Sequence, residues 1–257
     1  MIAAPGTDLL ARAAREVAAK WGRKLGKPFR DSCHAYVAPA GDDAVLKVTA
    51  LKDDEADEEA DALRAWDGNG SVRLLRNDPG PRAMLLERAR PGTDISALPE
   101  EEATSVAVAI GRRLWRPAAE PFRWIGDHVP RWLDEAEAAP GPAAELIPVA
   151  RELYASLEVG RAILIHGDLH HHNILDAGGR YVAIDPKPML GEPEFDVPPF
   201  LWNPVDGDEI SLEHTERRLA AFAAAGLDEE RMRAWGVIRG AILGVDEPDV
   251  AVLRALV

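Results

Sequence analysis

The residues with the clearest chemistry lie between His166 and Leu175, in the order His-Gly-Asp-Leu-His-His-His-Asn-Ile-Leu, and an Ile-Asp-Pro run follows at 184–186. They provide a carboxylate at Asp168, an amide oxygen at Asn173 and a second carboxylate at Asp185. Phosphoryl-transfer enzymes use this spacing to hold one proton acceptor and Mg²⁺, which prefers carboxylate and amide oxygens. We therefore predict Asp168 as the catalytic residue and Asn173 and Asp185 as metal ligands.

Short strands are predicted to position these groups. Apolar runs occupy 162–165, 174–175 and 181–184, and a Gly-Gly turn at 178–179 separates the last two. The polar groups then lie at strand ends and in the loop between the strands.

The histidines of the same segment allow two other interpretations. Imidazoles and carboxylates together suit a zinc or two-metal hydrolytic centre. The side chains available for it are His166, His170, His171, His172, Asp168 and Asp185. A hydrolase, however, gives no reason for the spacing of Asn173 and Asp185. We favour the second interpretation, in which His166 and His170 brace the loop through hydrogen bonds to backbone carbonyls. The other two, His171 and His172, then face solvent or substrate.

An upstream lysine is predicted to hold nucleotide phosphates. The run Ala-Val-Leu-Lys-Val-Thr at 44–49 predicts a strand on which Lys47 shares a face with Val45 and Thr49. An acidic run at 53–66 predicts a helix that ends at Gly68.

Glu59 is predicted to pair with Lys47. Helical spacing places Glu59 on the stripe of Ala56, Leu63 and Trp66. A buried acid needs a partner because an unpaired buried charge is costly. We therefore expect an ion pair that steadies the phosphate-binding lysine.

Two segments are predicted to complete the nucleotide site. The stretch 30–37 precedes the lysine strand and contains no glycine, so backbone amides or the Ser32 hydroxyl would meet the phosphates. The run Ala-Met-Leu-Leu-Glu at 83–87 predicts a strand that leads into a connector. Adenine would then hydrogen-bond the backbone between Glu87 and Ala89.

Taken in chain order, these segments resemble the aminoglycoside phosphotransferase family, and within it the streptomycin 6-kinase and hydroxyurea phosphotransferase branch. The segments are 44–48, 59–67, 84–92, 166–175 and 184–193. The His-Gly-Asp-x-His-x-x-Asn signature is specific for the superfamily. Ile-Asp-Pro-Lys-Pro at 184–188 and Phe-Leu-Trp-Asn at 200–203 point to the branch.

The resemblance implies an α+β, two-lobed, protein-kinase-like fold and ATP-dependent O-phosphorylation of a small molecule. We expect a small β-rich nucleotide-binding lobe at 1–88 and a larger, mainly helical lobe at 89–257. Asp168 matches the family's catalytic aspartate, and Asn173 and Asp185 match its magnesium ligands. Lys47 with Glu59 matches its phosphate-positioning pair. The chain departs from the family at 171–172, where Pro-Gly is frequent, and at 114–116, where a Leu-His pair is common.

Composition agrees with an enzyme of this kind. The 257 residues are 47% apolar, enough to bury a sizeable core. The formal charge of −14 argues against nucleic acid or an anionic membrane and favours a cationic ligand. We expect a cytoplasmic monomer or weak dimer that uses ATP and Mg²⁺. Cys33 is the sole cysteine, so an intrachain disulfide is excluded.

The acceptor is predicted to bind the second lobe. The residues predicted to contact it are Trp202, Asn203, Asp206 and Asp134. Paired carboxylates such as Asp134 or Asp206 suit a guanidinium group. The Ala/Pro/Glu-rich stretch 134–145 is predicted to be a connector.

These observations predict an O-kinase for a small molecule, with streptomycin as the first acceptor to test. Hydroxyurea or another metabolite is the alternative acceptor. A nucleotide-binding pseudokinase, favoured by the glycine-free stretch 30–37, and the metallohydrolase are the alternatives from other classes.

Overall fold

A computed structural model describes residues 7–29, 35–50, 57–160, 162–203, 211–243 and 247–256. The chain divides into two units, the first formed by residues 1–93 and 175–187 and the second by residues 94–174 and 188–257. The first contains a four-stranded sheet and the second contains most of the helices, which confirms the predicted α+β fold.

The helices and strands in chain order are α1 (Thr7–Lys20), β1 (Ala35–Pro39), β2 (Ala44–Thr49), α2 (Glu59–Trp66), β3 (Leu74–Asp78), β4 (Ala83–Glu87), α3 (Glu100–Leu114), β5 (Arg116–Pro117), α4 (Ile125–Ala138), α5 (Ile147–Ser156), β6 (Ile163–Ile165), β7 (Ile174–Asp176), β8 (Tyr181–Ala183), β9 (Met189–Gly191), α6 (Pro198–Leu201), α7 (Leu212–Ala224), α8 (Glu229–Leu243) and α9 (Glu247–Ala255).

The sheet of the first unit is antiparallel and has the strand order β1-β2-β4-β3. Leu46 and Val48 of β2 are buried in one cluster with Ala14 and Val17 of α1. Lys47 lies on the opposite face because side chains alternate along a strand. The predicted strand at 44–49 is therefore confirmed, and its alternation separates Lys47 from the apolar core.

Helix α2 presents a single buried stripe to the first unit. The members of this stripe are Glu59, Ala62, Leu63 and Trp66. The helix ends where Asp67 and Gly68 adopt positive φ angles of 48° and 77°. The predicted burial of Glu59, Leu63 and Trp66 and the predicted end of the helix are confirmed, and Ala62 is buried as well. Residues 51–56, which include the predicted start of the helix and Ala56 of the predicted stripe, lie outside the described residues.

The hairpin of β7 and β8 is joined to the segment that follows α2. Val72 N–H donates to Ala183 O at 3.0 Å, and Ala183 N–H donates to Gly70 O at 2.8 Å. These bonds fix the end of β8, two residues before Asp185.

Helix α8 is the centre of the second unit. It is buried around most of its circumference and packs against α4, α5, α6, α7 and α9. A three-stranded sheet, β5-β6-β9, lies in the same unit. Strand β6 leads directly into the segment that begins at His166, so this sheet fixes where that segment starts.

The predicted connector at 134–145 is wrong over its first part, because α4 continues to Ala138. Ile125, Val129 and Leu133 are buried at helical spacing and hold α4 in place despite Pro130 within it. The buried stripe therefore prevails over the loop-like composition. Within the described part of the chain, every helix is too short or too polar to cross a bilayer.

We predict that Leu46→Ala lowers the free energy of unfolding by about 2 to 5 kcal/mol, because it leaves a cavity between β2 and α1. Urea unfolding followed by circular dichroism measures this change. The matched variant Leu75→Ala removes a leucine of β3 that is 47% exposed. Its expected change is within about 0.5 kcal/mol. Equal losses in the two variants would contradict the assigned core.

Candidate active site

Lys47, Glu59 and Asp185 meet in the first unit and form what we call the lysine cluster. Lys47 Nζ donates to Glu59 Oε1 at 2.8 Å and Oε2 at 2.7 Å. It also donates to Asp185 Oδ1. Glu59 is 1% exposed. The predicted Lys47–Glu59 ion pair is present, and the contact with Asp185 adds a carboxylate that the sequence did not predict as a partner.

The cluster keeps Lys47 positively charged. Burial alone would lower the pKa of Lys47, but the charges of Glu59 and Asp185 raise it above its ordinary value. Burial raises the pKa of Glu59, and the ammonium opposes that change. The cluster therefore presents a fixed cation beside a carboxylate that is about half exposed, since Asp185 is 47% exposed.

Asp185 has an unusual backbone conformation, with a φ angle of 55°. Non-glycine residues rarely adopt this left-handed region, and functional sites often contain such residues. Its carboxylate is a hard oxygen donor of the type that Mg²⁺ prefers. Asp185 therefore fits the predicted role of a metal ligand.

Residues 166–173 of the second unit contain the predicted catalytic residue, and we call this segment the catalytic loop. Asn173 Nδ2 donates to Asp168 O at 2.9 Å, which ties the two ends of the predicted motif together. This bond leaves Asn173 Oδ1 as the acceptor atom of the amide, so Asn173 also fits a magnesium ligand. Asp168 is 34% exposed. The loop therefore buries the amide and leaves the predicted catalytic carboxylate accessible.

His166 and His170 brace the loop, as predicted, but their rings accept hydrogen bonds from backbone N–H groups and do not donate to backbone carbonyls in these contacts. His166 Nδ1 accepts from Asp168 N–H at 3.3 Å, and His170 Nδ1 accepts from His172 N–H at 3.3 Å. His172 lies 2.9 Å from Asp94 Oδ2 and is half-buried. These contacts tie the loop to itself and to the segment that begins the second unit.

The prediction that His171 faces solvent or substrate is wrong. Its ring stacks on Phe200 with centroids 3.9 Å apart and is 1% exposed. Neither ring nitrogen has a hydrogen-bond partner among the described residues. Burial lowers the pKa of His171 to about 3, so the imidazole is neutral at ordinary pH.

The described residues do not assemble the alternative hydrolytic centre. Among them, no group of three His, Cys, Asp or Glu side chains is arranged to hold a metal ion. His166 and His171 are both fully buried in the loop and its packing.

Three residues that sequence reasoning missed hold the catalytic loop. Asp196 accepts from His166 N–H at 2.7 Å and from Gly167 N–H at 2.6 Å. Trp115 Nε1–H donates to the same carboxylate at 2.9 Å. Arg239 donates to Gly167 O at 2.9 Å. Because these partners are distant in sequence, their spacing gave no signal.

Gly167 needs to be glycine at the centre of these contacts. Its φ angle of 83° lies in the left-handed region, where a side chain is strained. Both its N–H and its carbonyl are bound by buried side chains. The residue directly before Asp168 is therefore fixed in a single backbone conformation.

Part of the backbone that is predicted to bind adenine is already hydrogen-bonded within the protein. Glu87 N–H donates to Arg73 O at 2.9 Å, and the Glu87 carboxylate binds Arg180. Ala89 N–H has no hydrogen-bond partner among the described residues. Ser32 lies outside the described residues. The role of Ala89 in binding adenine stays a prediction.

The structure describes three of the four residues predicted to contact the acceptor. Trp202 is 8% exposed, and Asn203 Nδ2 donates to Pro199 O at 2.8 Å. Asp134 is exposed on α4 and binds Arg151 at 2.7 Å. Asp206 lies outside the described residues. Their contact with an acceptor stays a prediction.

The fold and the arrangement of these residues define a phosphotransferase of the protein-kinase-like class. The sequence profile of the aminoglycoside/hydroxyurea antibiotic resistance kinases matches residues 29–250, so the chain belongs to this family. The predicted family and the predicted kinase activity on a small-molecule hydroxyl are confirmed.

Proteins of known activity and structure are similar to the chain. Hydroxyurea phosphotransferase of Kitasatospora aureofaciens is 34% identical over 90% of this chain and 72% of its own length. Streptomycin 6-kinase of Streptomyces glaucescens is 31% identical over 76% of this chain and 67% of its own length.

The fold is shared with a thermostable mutant of aminoglycoside phosphotransferase APH(4)-Ia, solved in a ternary complex with AMP-PNP and hygromycin B. The TM-score is 0.61 at 16% identity, over 95% of this chain and 94% of the other. This likeness confirms the predicted protein-kinase-like fold.

We predict that Lys47→Ala lowers kcat/KM for ATP by about 100-fold, the effect typical of losing one electrostatic contact to a developing charge. Glu59→Gln should lower it by about tenfold, because Lys47 loses the carboxylate that holds it. Steady-state ADP release measures both. Lys20→Ala removes an exposed lysine that binds Asp78 and serves as the control. Wild-type kinetics in Glu59→Gln would contradict a role of the Lys47–Glu59 ion pair in the use of ATP.

We predict that His171 makes stability fall as pH falls. Its pKa is lowered to about 3 by burial, so the folded chain leaves it neutral where the unfolded chain binds a proton. Between about pH 7 and about pH 5 this difference should cost roughly 1 to 2 kcal/mol. His171→Phe keeps the stacked ring and should remove this part of the pH dependence. Urea unfolding at several pH values measures it, and parallel curves for the two proteins would contradict the assignment.

Proposed function

We propose that this kinase transfers the γ-phosphoryl group of ATP to a hydroxyl of a streptomycin-type aminocyclitol. The observation that carries the proposal is the catalytic loop, in which an accessible Asp168 carboxylate stands on a backbone fixed at Gly167. Catalysis of phosphoryl transfer is mainly positioning and charge stabilisation, so a fixed carboxylate suits it.

Nucleotide binding is assigned to the first unit, in keeping with the predicted nucleotide-binding lobe at 1–88. Lys47 is a buried cation fixed by Glu59, which suits it to contact phosphate oxygens. Ala89 N–H provides a donor for the adenine edge. We assign the phosphates to Lys47 and the base to the backbone between Glu87 and Ala89. Ser32 remains the proposed hydroxyl donor to phosphate.

Asn173 and Asp185 are assigned as the magnesium ligands. When bound, Mg²⁺ neutralises charge on the phosphate oxygens. The chain contributes an amide oxygen and a carboxylate to it, and the bond from Lys47 to Asp185 orients that carboxylate.

The transfer step is assigned to Asp168. The acceptor hydroxyl oxygen attacks the γ-phosphorus, its O–P bond forms, and the bond from the γ-phosphorus to the bridging oxygen breaks. The hydroxyl proton passes to the Asp168 carboxylate, and ADP leaves with the bridging oxygen. Asn173 holds the Asp168 carbonyl during this step.

The acceptor is assigned as a cation on two grounds. The chain carries a net charge of −14, and a streptomycin 6-kinase is 31% identical to it. The 34% identity to a hydroxyurea phosphotransferase favours hydroxyurea as the second candidate. The contacts of Trp202, Asn203, Asp206 and Asp134 with the acceptor, the monomer or weak dimer state and the cytoplasmic location stay predictions.

We predict ATP-dependent phosphorylation of streptomycin, with one ADP formed for each phosphorylated product. Asp168→Asn should lower kcat by about 100-fold or more, because the variant cannot accept the proton. Mass spectrometry of the acceptor and coupled ADP release measure both. Hydroxyurea is tested in parallel. Phosphorylation of hydroxyurea but not of streptomycin would make hydroxyurea the acceptor. Full activity of Asp168→Asn would contradict the role of Asp168 as proton acceptor.

A further inference from the structure

We propose that Trp115 is a positioning residue that acts on the catalytic loop through Asp196. The inference rests on the role proposed above for Asp168. Trp115 stands at the end of α3, where its own backbone N–H donates to Gly111 O at 2.8 Å. It lies 81 positions before its hydrogen-bond partner Asp196.

Asp196 joins the indole to the backbone that carries Asp168. Its carboxylate is 1% exposed and accepts three N–H groups. Oδ2 accepts from both Trp115 Nε1 and His166 N, whereas Oδ1 accepts from Gly167 N. A buried carboxylate is costly unless such bonds satisfy it. Trp115 therefore supplies a side-chain donor to the carboxylate that fixes the two residues before Asp168.

The packing of the indole is independent evidence that its position is specified. A Cβ atom at Gly111 would lie 2.5 Å from both Cη2 and Cζ2 of Trp115. Those atoms belong to a rigid ring whose nitrogen is bound to Asp196, so the ring cannot yield without moving the hydrogen bond. Glycine at 111 is therefore what allows the indole to fold back over the last turn of α3 and reach the carboxylate.

The carbonyl side of the loop is held separately. Arg239 donates to Gly167 O at 2.9 Å and to Phe195 O at 3.0 Å. Loss of the indole N–H would leave this contact in place and weaken only the carboxylate side. The expected result is a loop that remains folded but holds Asp168 less accurately. Such a defect should lower kcat much more than it weakens nucleotide binding, because Lys47 and Ala89 belong to the other unit.

Trp115→Phe tests the inference because it keeps a buried aromatic ring and removes the N–H donor. We expect kcat for ATP and streptomycin to fall by about 5- to 20-fold, with KM for ATP within about twofold of wild type. Gly111→Ala should show the same change by displacing the indole. Both variants break the same hydrogen bond, the one from Trp115 to Asp196. The kcat of the double variant should therefore be little lower than that of either single variant.

Trp124→Phe is the matched control, since Trp124 Nε1–H donates to Gly160 O at 3.1 Å and not to the carboxylate of Asp196. Backbone amide resonances give a second readout that needs no turnover. The His166 and Gly167 resonances should shift in Trp115→Phe and stay in place in Trp124→Phe. Thermal unfolding confirms that each variant is folded.

The outcomes separate the two proposals. Wild-type kcat in Trp115→Phe, or unchanged His166 and Gly167 resonances, would overturn the positioning role even if Asp168→Asn is inactive. A parallel rise in KM for ATP would also overturn it. Full activity of Asp168→Asn would instead overturn the proposed function.

Discussion

A lysine ammonium inside the first unit has to be neutralised, and this constraint organises the unit to which we assign nucleotide binding. Lys47 is 7% exposed, and an unpaired charge at such a site would be prohibitively costly. Glu59 supplies its partner from α2, and Asp185 supplies another from the segment after β8. One cation therefore links the four-stranded sheet, helix α2 and the segment that follows β8.

The catalytic loop of the second unit follows the same physical rule with different residues. A buried carboxylate, Asp196, is satisfied by N–H groups and thereby fixes the backbone next to Asp168. In each unit a buried charged group positions a more accessible carboxylate, since Asp185 is 47% and Asp168 is 34% exposed. Buried groups determine geometry because few alternative partners are available to them, and accessible groups remain able to meet a ligand.

Sequence patterns predicted the parts of the site that depend on near neighbours along the chain. Strand alternation placed Lys47 opposite the core, and helical spacing selected Glu59 because a buried acid requires a partner. The apolar runs predicted that Asp168 and Asn173 lie between two short strands, and both residues lie between β6 and β7. These features follow from backbone periodicity and from the chemistry of a few consecutive residues.

Contacts between segments that are far apart in the sequence could not be predicted in this way. The side chain that covers His171 is Phe200, so an imidazole that looked free to face solvent is buried. The partner of Trp115 is Asp196, and no local pattern connects them. The Ala/Pro/Glu-rich composition also led to a wrong prediction of a connector at 134–138, where a buried stripe keeps the segment helical. Tertiary packing decides each of these cases.

The central claim is that Lys47 is a fixed cation that receives the phosphates of ATP. Nitrogen-15 spectra of the lysine side chains, recorded before and after addition of MgAMP-PNP, test it most directly. The account predicts a Lys47 ammonium signal protected from exchange in the free protein and displaced when the analogue binds. A Lys47 signal that stays unchanged while the Ala89 amide reports saturation with nucleotide would contradict it.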